Sequence, residues 1–208
     1  MDEIVIAAGG DLNPADFSEL LDGAYLIGAD RGALYLTDSG YRVDLAVGDF
    51  DSVNEDEMER ISANSGNVLK HPPEKDDTDL ELAVKKALDM EGSITILGGT
   101  GSRMDQTFSA VDLLMICREK GREACIIDRN NRIRLITGRH VVRRSSYPYV
   151  SLYPFGEKEV TVSLSGFKYS GDNIVLKRGS SLGISNEIAG EEGVIKTDGI
   201  LYLFESRD

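Results

Sequence analysis

The segment LAVGDFDSVNEDEMER (residues 45–60) changes from apolar to acidic within a few residues. Its apolar run ends at Gly48, and Asp49 and Asp51 follow with one residue between them. A short apolar run that ends in glycine is typical of a buried strand, so both carboxylates are expected where a strand leaves the core. Two roles fit this position, because Asp49 and Asp51 could stabilise the start of a following helix or could hold a metal ion.

Further apolar runs and helical segments alternate on both sides of this segment, through about residue 130. The runs that resemble buried strands are 3–10, 24–30, 43–51, 67–72, 93–99 and 123–128. Between them, 78–90 and 105–119 carry apolar residues at helical spacing. Short apolar strands that alternate with amphipathic helices predict a parallel sheet covered by helices on both faces.

The pattern changes after Asp128 to short β-type runs separated by Gly, Asn, Asp and Pro. In EVTVSLS (159–165) apolar residues alternate with Thr and Ser, which is the period of a half-buried strand. The pair Asp198-Gly199 within KTDGILYLF predicts a hairpin turn. The predicted fold class is therefore α/β, with an N-terminal parallel-sheet α/β domain (residues 1–135) followed by a C-terminal all-β sandwich domain (residues 136–208).

The composition of the 208 residues excludes several classes of function. The net charge of −13 disfavours nucleic acid and anionic membranes as partners, since both are themselves negatively charged. Cys117 and Cys125 match no zinc-binding spacing, and we expect core thiols there. The N-terminus does not resemble a signal peptide and no apolar run reaches about 18 residues, so we expect a cytoplasmic protein without a membrane span.

Charged and polar residues collect at the ends of the predicted strands, where open α/β sheets bind their ligands. These residues are Asp11, Asp30, Asp49, Asp51, Lys75, Asp76, Asp77, Asp79, Arg103, Asp105 and Gln106. Carboxylates gathered at one sheet edge repel one another unless a cation neutralises them, and hard oxygen ligands suit Mg²⁺. The alternative of helix capping remains open, because Ser52 with Glu55 and Thr78 with Glu81 have capping-box spacing.

A site for phosphate is the second expectation at these strand ends. The glycines of LGGTGSR (97–103) resemble a phosphate-contacting turn, although they match neither the Walker spacing nor GxGxxG and an ordinary βα turn fits equally well. Arg103 beside them can bind phosphate through two hydrogen bonds. The spacing assembles no Ser/His/Asp or Cys/His arrangement, so the inventory favours phosphoryl-type transfer, which depends on positioning and charge neutralisation.

Five segments, taken together, resemble thiamine pyrophosphokinase (thiamine diphosphokinase), especially the bacterial form. They are GADRGALYL (28–36), VGDFDSV (47–53), HPPEKDDTDLELAV (71–84), ILGGTGSRMDQTFSAVDLL (96–114) and GFKYSGDNIVLKRGSSLGISNEI (166–188). The resemblance covers nearly the whole chain. It implies an α/β domain that binds ATP and Mg²⁺, a β-sandwich domain that binds thiamine, and a homodimer with the active site between subunits.

The resemblance also implies a reaction and a role for individual residues. The family transfers the pyrophosphoryl group of ATP to the hydroxyl of thiamine and releases AMP. The implied metal ligands are Asp49, Asp51 and Asp79, and the implied catalytic residues are Asp51, Asp79 and Arg103. The implied ATP contacts are Asp30, Lys75, Asp76, Thr78, Arg103, Asp105 and Gln106. The implied thiamine contacts are Tyr169, Ser181, Ser185 and Asn186. Either Asp51 or Asp79 could accept the hydroxyl proton.

Two other functions compete with this interpretation. The segment DFDSV (49–53) fits the nucleophile pattern of haloacid-dehalogenase-like phosphatases, although that pattern usually lies on the first strand and two strands precede it here. A non-catalytic thiamine-binding module, whose aspartates only cap helices, is the other alternative.

Overall fold

The structure is a computed structural model that describes residues 3–72, 74 and 76–208. The described chain forms two compact units, of which the first ends at Arg129 and the second begins at Asn130. The predicted domain boundary after residue 135 falls a few residues later, inside the first strand of the second unit.

The first unit contains six described strands and the helices that connect them. The strands are β1 (Glu3–Ala7), β2 (Tyr25–Ala29), β3 (Val43–Gly48), β4 (Ser65–Lys70), β5 (Ser93–Leu97) and β6 (Ala124–Ile127). The helices are α1 (Ser18–Leu21, after a 3₁₀ turn at Pro14–Phe17), α2 (Arg31–Asp38), α3 (Glu55–Asn64), α4 (Asp79–Leu88) and α5 (Met104–Glu119). All neighbouring strands are parallel, in the order β6-β5-β1-β2-β3-β4. Each apolar run predicted to be a strand overlaps one, although β4 begins two residues before the predicted run 67–72 and ends two residues before its end. The α/β class is confirmed.

The core of this sheet is apolar on both faces, as expected for parallel strands covered by helices. Ile4, Val5 and Ile6 of β1 are fully buried, and so are Ala46 and Val47 of β3. Cys117 of α5 is also buried, and this burial raises the pKa of its thiol to about 11, which agrees with the predicted core thiol.

The strand order reverses between β1 and β5, because the chain builds outward to β4 and then returns to the other side of β1. Ligands of open α/β sheets bind at such a reversal. The loops after β1 and β5 touch there, with the Gly10 amide donating to the Gly98 carbonyl at 3.0 Å. A Cβ at Gly10 would lie 2.3 Å from the carbonyl oxygens of Gly98 and Thr100, so only glycine permits this close approach.

The second unit consists of strands in its described residues. They are β7 (Asn131–Arg143), β8 (Tyr149–Pro154), β9 (Glu159–Ser165), β10 (Gly171–Lys177), β11 (Asn186–Glu187) and β12 (Glu192–Ser206). β12 pairs antiparallel with β7 along its length. Its other edge pairs with β9 through residues 194–197 and with β8 through residues 201–206. β10 extends the sheet beyond β9, and β11 pairs with β8.

The hairpin predicted at Asp198-Gly199 is wrong, because β12 runs continuously through both residues. The pairing register shifts between Thr197 and Leu201, which is where β12 changes partner from β9 to β8. The Asp198 carboxylate accepts a hydrogen bond from the Thr161 amide at 2.8 Å. Turn-forming residues therefore mark an irregularity within one strand, a position that tolerates them.

None of the helices in the described part of the chain combines the length and the apolar character needed to cross a lipid bilayer.

Candidate active site

A polar pocket of about 570 Å³ opens at the carboxyl ends of the first unit's strands. The strand ends of β1, β2, β3 and β5 contribute to it, together with the first turns of α4 and α5. The sequence-predicted residues that line it are Asp30, Asp49, Asp51, Thr78, Asp79, Arg103 and Gln106. Residues that are far apart in the chain are thus brought to one cavity by the parallel order of the strands.

Three carboxylates form the acidic centre of this pocket. Asp30, Asp49 and Asp51 each place an oxygen within 4.8 Å of the others. They meet because β2 and β3 pair in parallel, so that the residues after each strand leave the sheet at the same edge. Phe50 separates Asp49 from Asp51 with φ 59° and is buried, whereas the two carboxylates beside it line the pocket. We call Asp30, Asp49 and Asp51 the carboxylate triad.

Asp30 is the most constrained member of the triad. Its backbone has φ 49° and ψ −120°, a conformation that costs energy for a residue with a side chain. Burial raises the pKa of its carboxyl, and the charges of Asp79 and Asp51 raise it further, while a hydrogen bond from Ser52 opposes them. The Ser52 hydroxyl donates to Asp30 Oδ2 at 2.6 Å.

The second oxygen of Asp30, Oδ1, is buried and has no hydrogen-bond partner among the described residues. A buried carboxylate oxygen without a partner is costly, which is a physical reason to expect a ligand there. The triad offers only hard, anionic oxygen atoms, the donor set that suits Mg²⁺. The residues present therefore fit a divalent cation. Asp79 is not among the three, although its charge acts on Asp30 from the start of α4.

Capping explains some of the acidic residues but not the triad. The cap predicted at Ser52 is wrong, since the N-cap of α3 is Asn54, two residues later. Asn54 Oδ1 accepts from the Glu57 amide at 3.0 Å, and the Asn54 amide donates to Glu57 Oε2 at 2.9 Å. At α4 the alternative is confirmed, because the Thr78 hydroxyl accepts from the Glu81 amide at 3.2 Å. Thr78 therefore both caps α4 and lines the pocket.

The glycine-rich loop after β5 forms another part of the pocket wall. Thr100 anchors it by donating to Asp128 Oδ2 at 2.7 Å. Arg103, at the N-cap of α5, forms a fork with Asp105: Nε lies 3.2 Å from Oδ1 and Nη2 lies 2.5 Å from Oδ2. Arg103 keeps the pKa of the Asp105 carboxyl below its usual range. Arg103 lines the pocket but Asp105 is not among its described lining residues, so the contact of Asp105 is with the arginine.

The loop before α4 is held by a lysine that sequence reasoning missed. Lys85 Nζ lies 2.8 Å from Asp77 Oδ1 and 2.9 Å from Glu81 Oε1. Lysine therefore lowers the pKa of Asp77, which lines the pocket. Asp76 is exposed and is not among the described lining residues, and Lys75 lies outside the residues that the structure describes.

The second unit has its own cavity of about 400 Å³, and its walls are mostly apolar. Apolar side chains from several of its strands line it together with Tyr169, Ser181 and Asn186, three of the four predicted thiamine contacts. The fourth, Ser185, is not among the described lining residues; it has φ 59°, and its amide donates to the Ser151 hydroxyl at 2.9 Å. Ser185 thus shapes the turn beside the cavity.

Asn186 fixes the position of Tyr169 through two hydrogen bonds. Its Oδ1 accepts from the Tyr169 amide at 3.1 Å, and its Nδ2 donates to the Tyr169 carbonyl at 2.9 Å. Tyr169 remains 64% exposed at the edge of the cavity, with Lys168 Nζ 5.7 Å from its ring centroid. An apolar cavity with an exposed flat ring is suited to a small heteroaromatic ligand.

The first unit's fold and its polar pocket define an enzyme of the phosphoryl-transfer class, because carboxylates, a glycine-rich loop and an arginine meet beyond the ends of parallel strands. Comparison with known proteins identifies the family. The model of the thiamin pyrophosphokinase catalytic domain matches residues 17–126, and the model of the thiamin pyrophosphokinase vitamin B1 binding domain matches residues 139–201. The chain belongs to the thiamine pyrophosphokinase family, as its sequence motifs predicted.

Individual relatives match along the full length. Thiamine pyrophosphokinase of Bacillus subtilis is 35% identical over 214 residues, with 100% of both chains covered. The crystal structure of the Bacillus subtilis protein superimposes with a TM-score of 0.89 at 32% identity and 100% coverage of both chains. That of thiamin pyrophosphokinase from Geobacillus thermodenitrificans gives 0.86 at 33% identity, with 99% of this chain and 98% of the other covered.

Proposed function

We propose that the protein transfers the pyrophosphoryl group of ATP to the hydroxyl of thiamine, giving thiamine diphosphate and AMP. The observation that carries this proposal is the meeting, in one pocket, of the carboxylate triad with Arg103 and the glycine-rich loop, in a chain of the thiamine pyrophosphokinase family. The family relationship does not favour the phosphatase alternative.

The polar pocket is the proposed site of ATP. Asp30, Asp49 and Asp51 would hold Mg²⁺, which when bound neutralises phosphate charge and stabilises the charge that develops during transfer. The loop from Gly98 to Ser102 and the guanidinium of Arg103 face the same pocket and would bind the triphosphate. Gln106 and Thr78 line it as well and would complete the polar contacts.

The transfer itself needs little chemistry from side chains beyond positioning and one proton acceptor. The thiamine oxygen forms a bond to the β-phosphorus, the bond between that phosphorus and the α-β bridging oxygen breaks, and AMP leaves with the electron pair. Asp79 is our candidate for the proton acceptor, because it lines the pocket but lies outside the triad. Asp51 then acts as a metal ligand.

The apolar cavity of the second unit is the proposed thiamine subsite. The ring of Tyr169 would stack on the substrate, and Ser181 would hydrogen-bond to it. Asn186 and Ser185 would act by holding the loop, because their described hydrogen bonds go to backbone or side-chain groups of the protein. This assignment changes the role of both residues from substrate contact to support.

We also propose a cytoplasmic homodimer with the active site at the subunit interface. Tyr169, Leu182 and Ile184 are large apolar or aromatic side chains that are exposed beside the cavity, and an interface there would cover them. Analytical ultracentrifugation of the purified protein tests the dimer, and a monomer at micromolar concentration would contradict it.

A single incubation with ATP, Mg²⁺ and thiamine tests the reaction, with AMP and thiamine diphosphate separated by chromatography. Both products are expected in equal amounts. Release of inorganic phosphate without AMP would indicate a phosphatase, and thiamine binding without turnover would indicate a binding module.

Asp51→Asn should abolish turnover with the fold intact. Asp16→Asn, on the surface of the same unit, should leave turnover unchanged. Full activity of Asp51→Asn would overturn the proposed site.

A further inference from the structure

The hydroxyl of Ser52 contacts the carboxylate triad, although the spacing of Ser52 to Glu55 is that of a capping box. The helix cap is made by Asn54 and Glu57, so α3 leaves the Ser52 side chain uninvolved. The hydroxyl instead donates to Asp30 Oδ2 at 2.6 Å, across 22 positions of sequence. That distance is in the range of about 2.5–2.7 Å found for hydroxyl donors to ionised carboxylates, which are among the stronger hydrogen bonds.

This hydrogen bond helps to set the orientation of the two oxygens of the Asp30 carboxylate. With Oδ2 held by Ser52, the other oxygen, Oδ1, is the buried atom that lacks a hydrogen-bond partner among the described residues. Asp30 also supplies one of the three oxygens that lie within 4.8 Å of each other. Loss of the hydroxyl would remove the side-chain hydrogen bond that holds this carboxyl group and leave its interaction with the Arg31 backbone.

Ser52 is itself fixed in the loop after β3. Its carbonyl accepts a hydrogen bond from Arg31 Nη1 at 3.3 Å, so the residue that follows Asp30 also binds Ser52. On the other side, buried Phe50 anchors the loop, and the Asp51 amide donates to Asp49 Oδ1 at 3.2 Å. The end of β2 and the loop after β3 are therefore joined at two points, through the side chain and the main chain of Ser52.

We propose that Ser52 is a positioning residue for the metal site, which holds Asp30 in the orientation that completes the carboxylate triad. The inference rests on the proposed function in one respect, namely that the triad binds a divalent cation. Residues that orient metal ligands typically change metal affinity or activity by about 10- to 100-fold when mutated. We expect an effect of that size from loss of the Ser52 hydroxyl.

The test compares three variants with a matched control. Ser52→Ala removes the donor, Ser52→Thr keeps a hydroxyl, and Ser52→Cys keeps a weak donor. Ser62→Ala is the control, since Ser62 is an exposed serine on α3 of the same unit. Binding of Mn²⁺ to the full-length protein without nucleotide is measured from the electron paramagnetic resonance signal of free Mn²⁺. The Mg²⁺ concentration for half-maximal thiamine diphosphate formation is the second readout, and circular dichroism checks folding.

Weaker Mn²⁺ binding by Ser52→Ala, by about 10-fold or more, with near-normal binding by Ser52→Thr and Ser62→Ala, supports the proposal. An intermediate value for Ser52→Cys supports it further, and that variant carries the test if Ser52→Ala does not fold. Unchanged affinity in Ser52→Ala overturns it, and so does an equal loss in Ser52→Ala and Ser52→Thr. If the wild-type protein binds no Mn²⁺ but makes thiamine diphosphate, the metal role of the triad is wrong while the reaction stands.

Discussion

Replacing Asp30 by asparagine is expected to stabilise the metal-free protein while it removes a ligand of the proposed metal site. Asparagine keeps the size of the side chain, still accepts a hydrogen bond from Ser52, and tolerates positive φ better than most residues. What the substitution removes is a negative charge beside those of Asp49 and Asp51.

The magnitude follows from the spacing of the carboxylates. Two unit charges at 4.8 Å, the upper limit of the oxygen separations within the triad, repel by about 0.9 kcal/mol at the dielectric constant of water and by about 3.5 kcal/mol at an effective value near 20. Asp30 is only partly buried, so screening by solvent brings the net gain toward the lower figure. We expect a gain in the free energy of unfolding of roughly 1–2 kcal/mol, or a rise in Tm of roughly 2–6 °C.

The stabilisation should depend on pH and on metal. Burial, with the charges of Asp79 and Asp51, raises the pKa of Asp30. A carboxyl with a higher pKa in the folded than in the unfolded state holds its proton more tightly when folded, so wild-type stability falls as pH rises between those two values. The advantage of Asp30→Asn is therefore complete above the folded pKa and declines as pH falls through that interval. Mg²⁺ should stabilise the wild-type protein more than the variant.

Differential scanning calorimetry at pH 7.5, once with EDTA and once with saturating Mg²⁺, measures this effect. Asp16→Asn is the control for net charge alone and should change the free energy of unfolding by less than about 0.5 kcal/mol. A Tm of Asp30→Asn in EDTA that equals or falls below the wild-type Tm would refute the reasoning about repulsion within the triad.

Three further substitutions test contacts described above. Asp105→Asn should lower kcat/KM for ATP, by up to about 100-fold, because the fork that orients Arg103 loses its charge; steady-state kinetics that match wild type would contradict that role. Asn186→Ala should raise KM for thiamine more than KM for ATP, since the loop that carries Tyr169 loses both hydrogen bonds, and equal changes in the two constants would argue against a thiamine subsite there. Asn54→Ala should cost about 1 kcal/mol of stability with kcat retained, measured by thermal melting and turnover, because the cap of α3 is lost.

Much of the fold could be predicted because strand ends and helix faces are local patterns. Gly48 followed by Asp49 marked both the end of β3 and the edge of the pocket. The parallel order of the strands then brings the other strand ends to the same pocket. Contacts between segments could not be predicted in this way. Ser52 and Asn54 both precede a glutamate by three residues, so spacing alone does not tell which one caps α3. The bond from Ser52 to Asp30 spans two loops and has no sequence period.

The same limit explains the other differences. Asp105 was predicted as an ATP contact from the resemblance to thiamine pyrophosphokinase, yet its carboxylate binds the neighbouring Arg103. Asp198-Gly199 has the composition of a hairpin turn. However, β12 pairs with β9 before these residues and with β8 after them, so the strand continues through Asp198 and Gly199. In each case a partner distant in sequence, or a competing neighbour, decides between two locally acceptable structures.

The long strand β12 has a consequence for the order in which the protein folds during synthesis. It supplies pairing partners for β7, β8 and β9, yet it is translated after all three. Domains fold as units, and N-terminal ones fold first as the chain leaves the ribosome. The sheet of the first unit has all its described strands once β6 has emerged. In the second unit, β8 and β9 carry side chains that line the apolar cavity, and β12 joins these two strands only after residues 192–206 have been translated. Until then β7 has an unpaired edge, so this stage of synthesis is the one most exposed to misassociation between nascent chains.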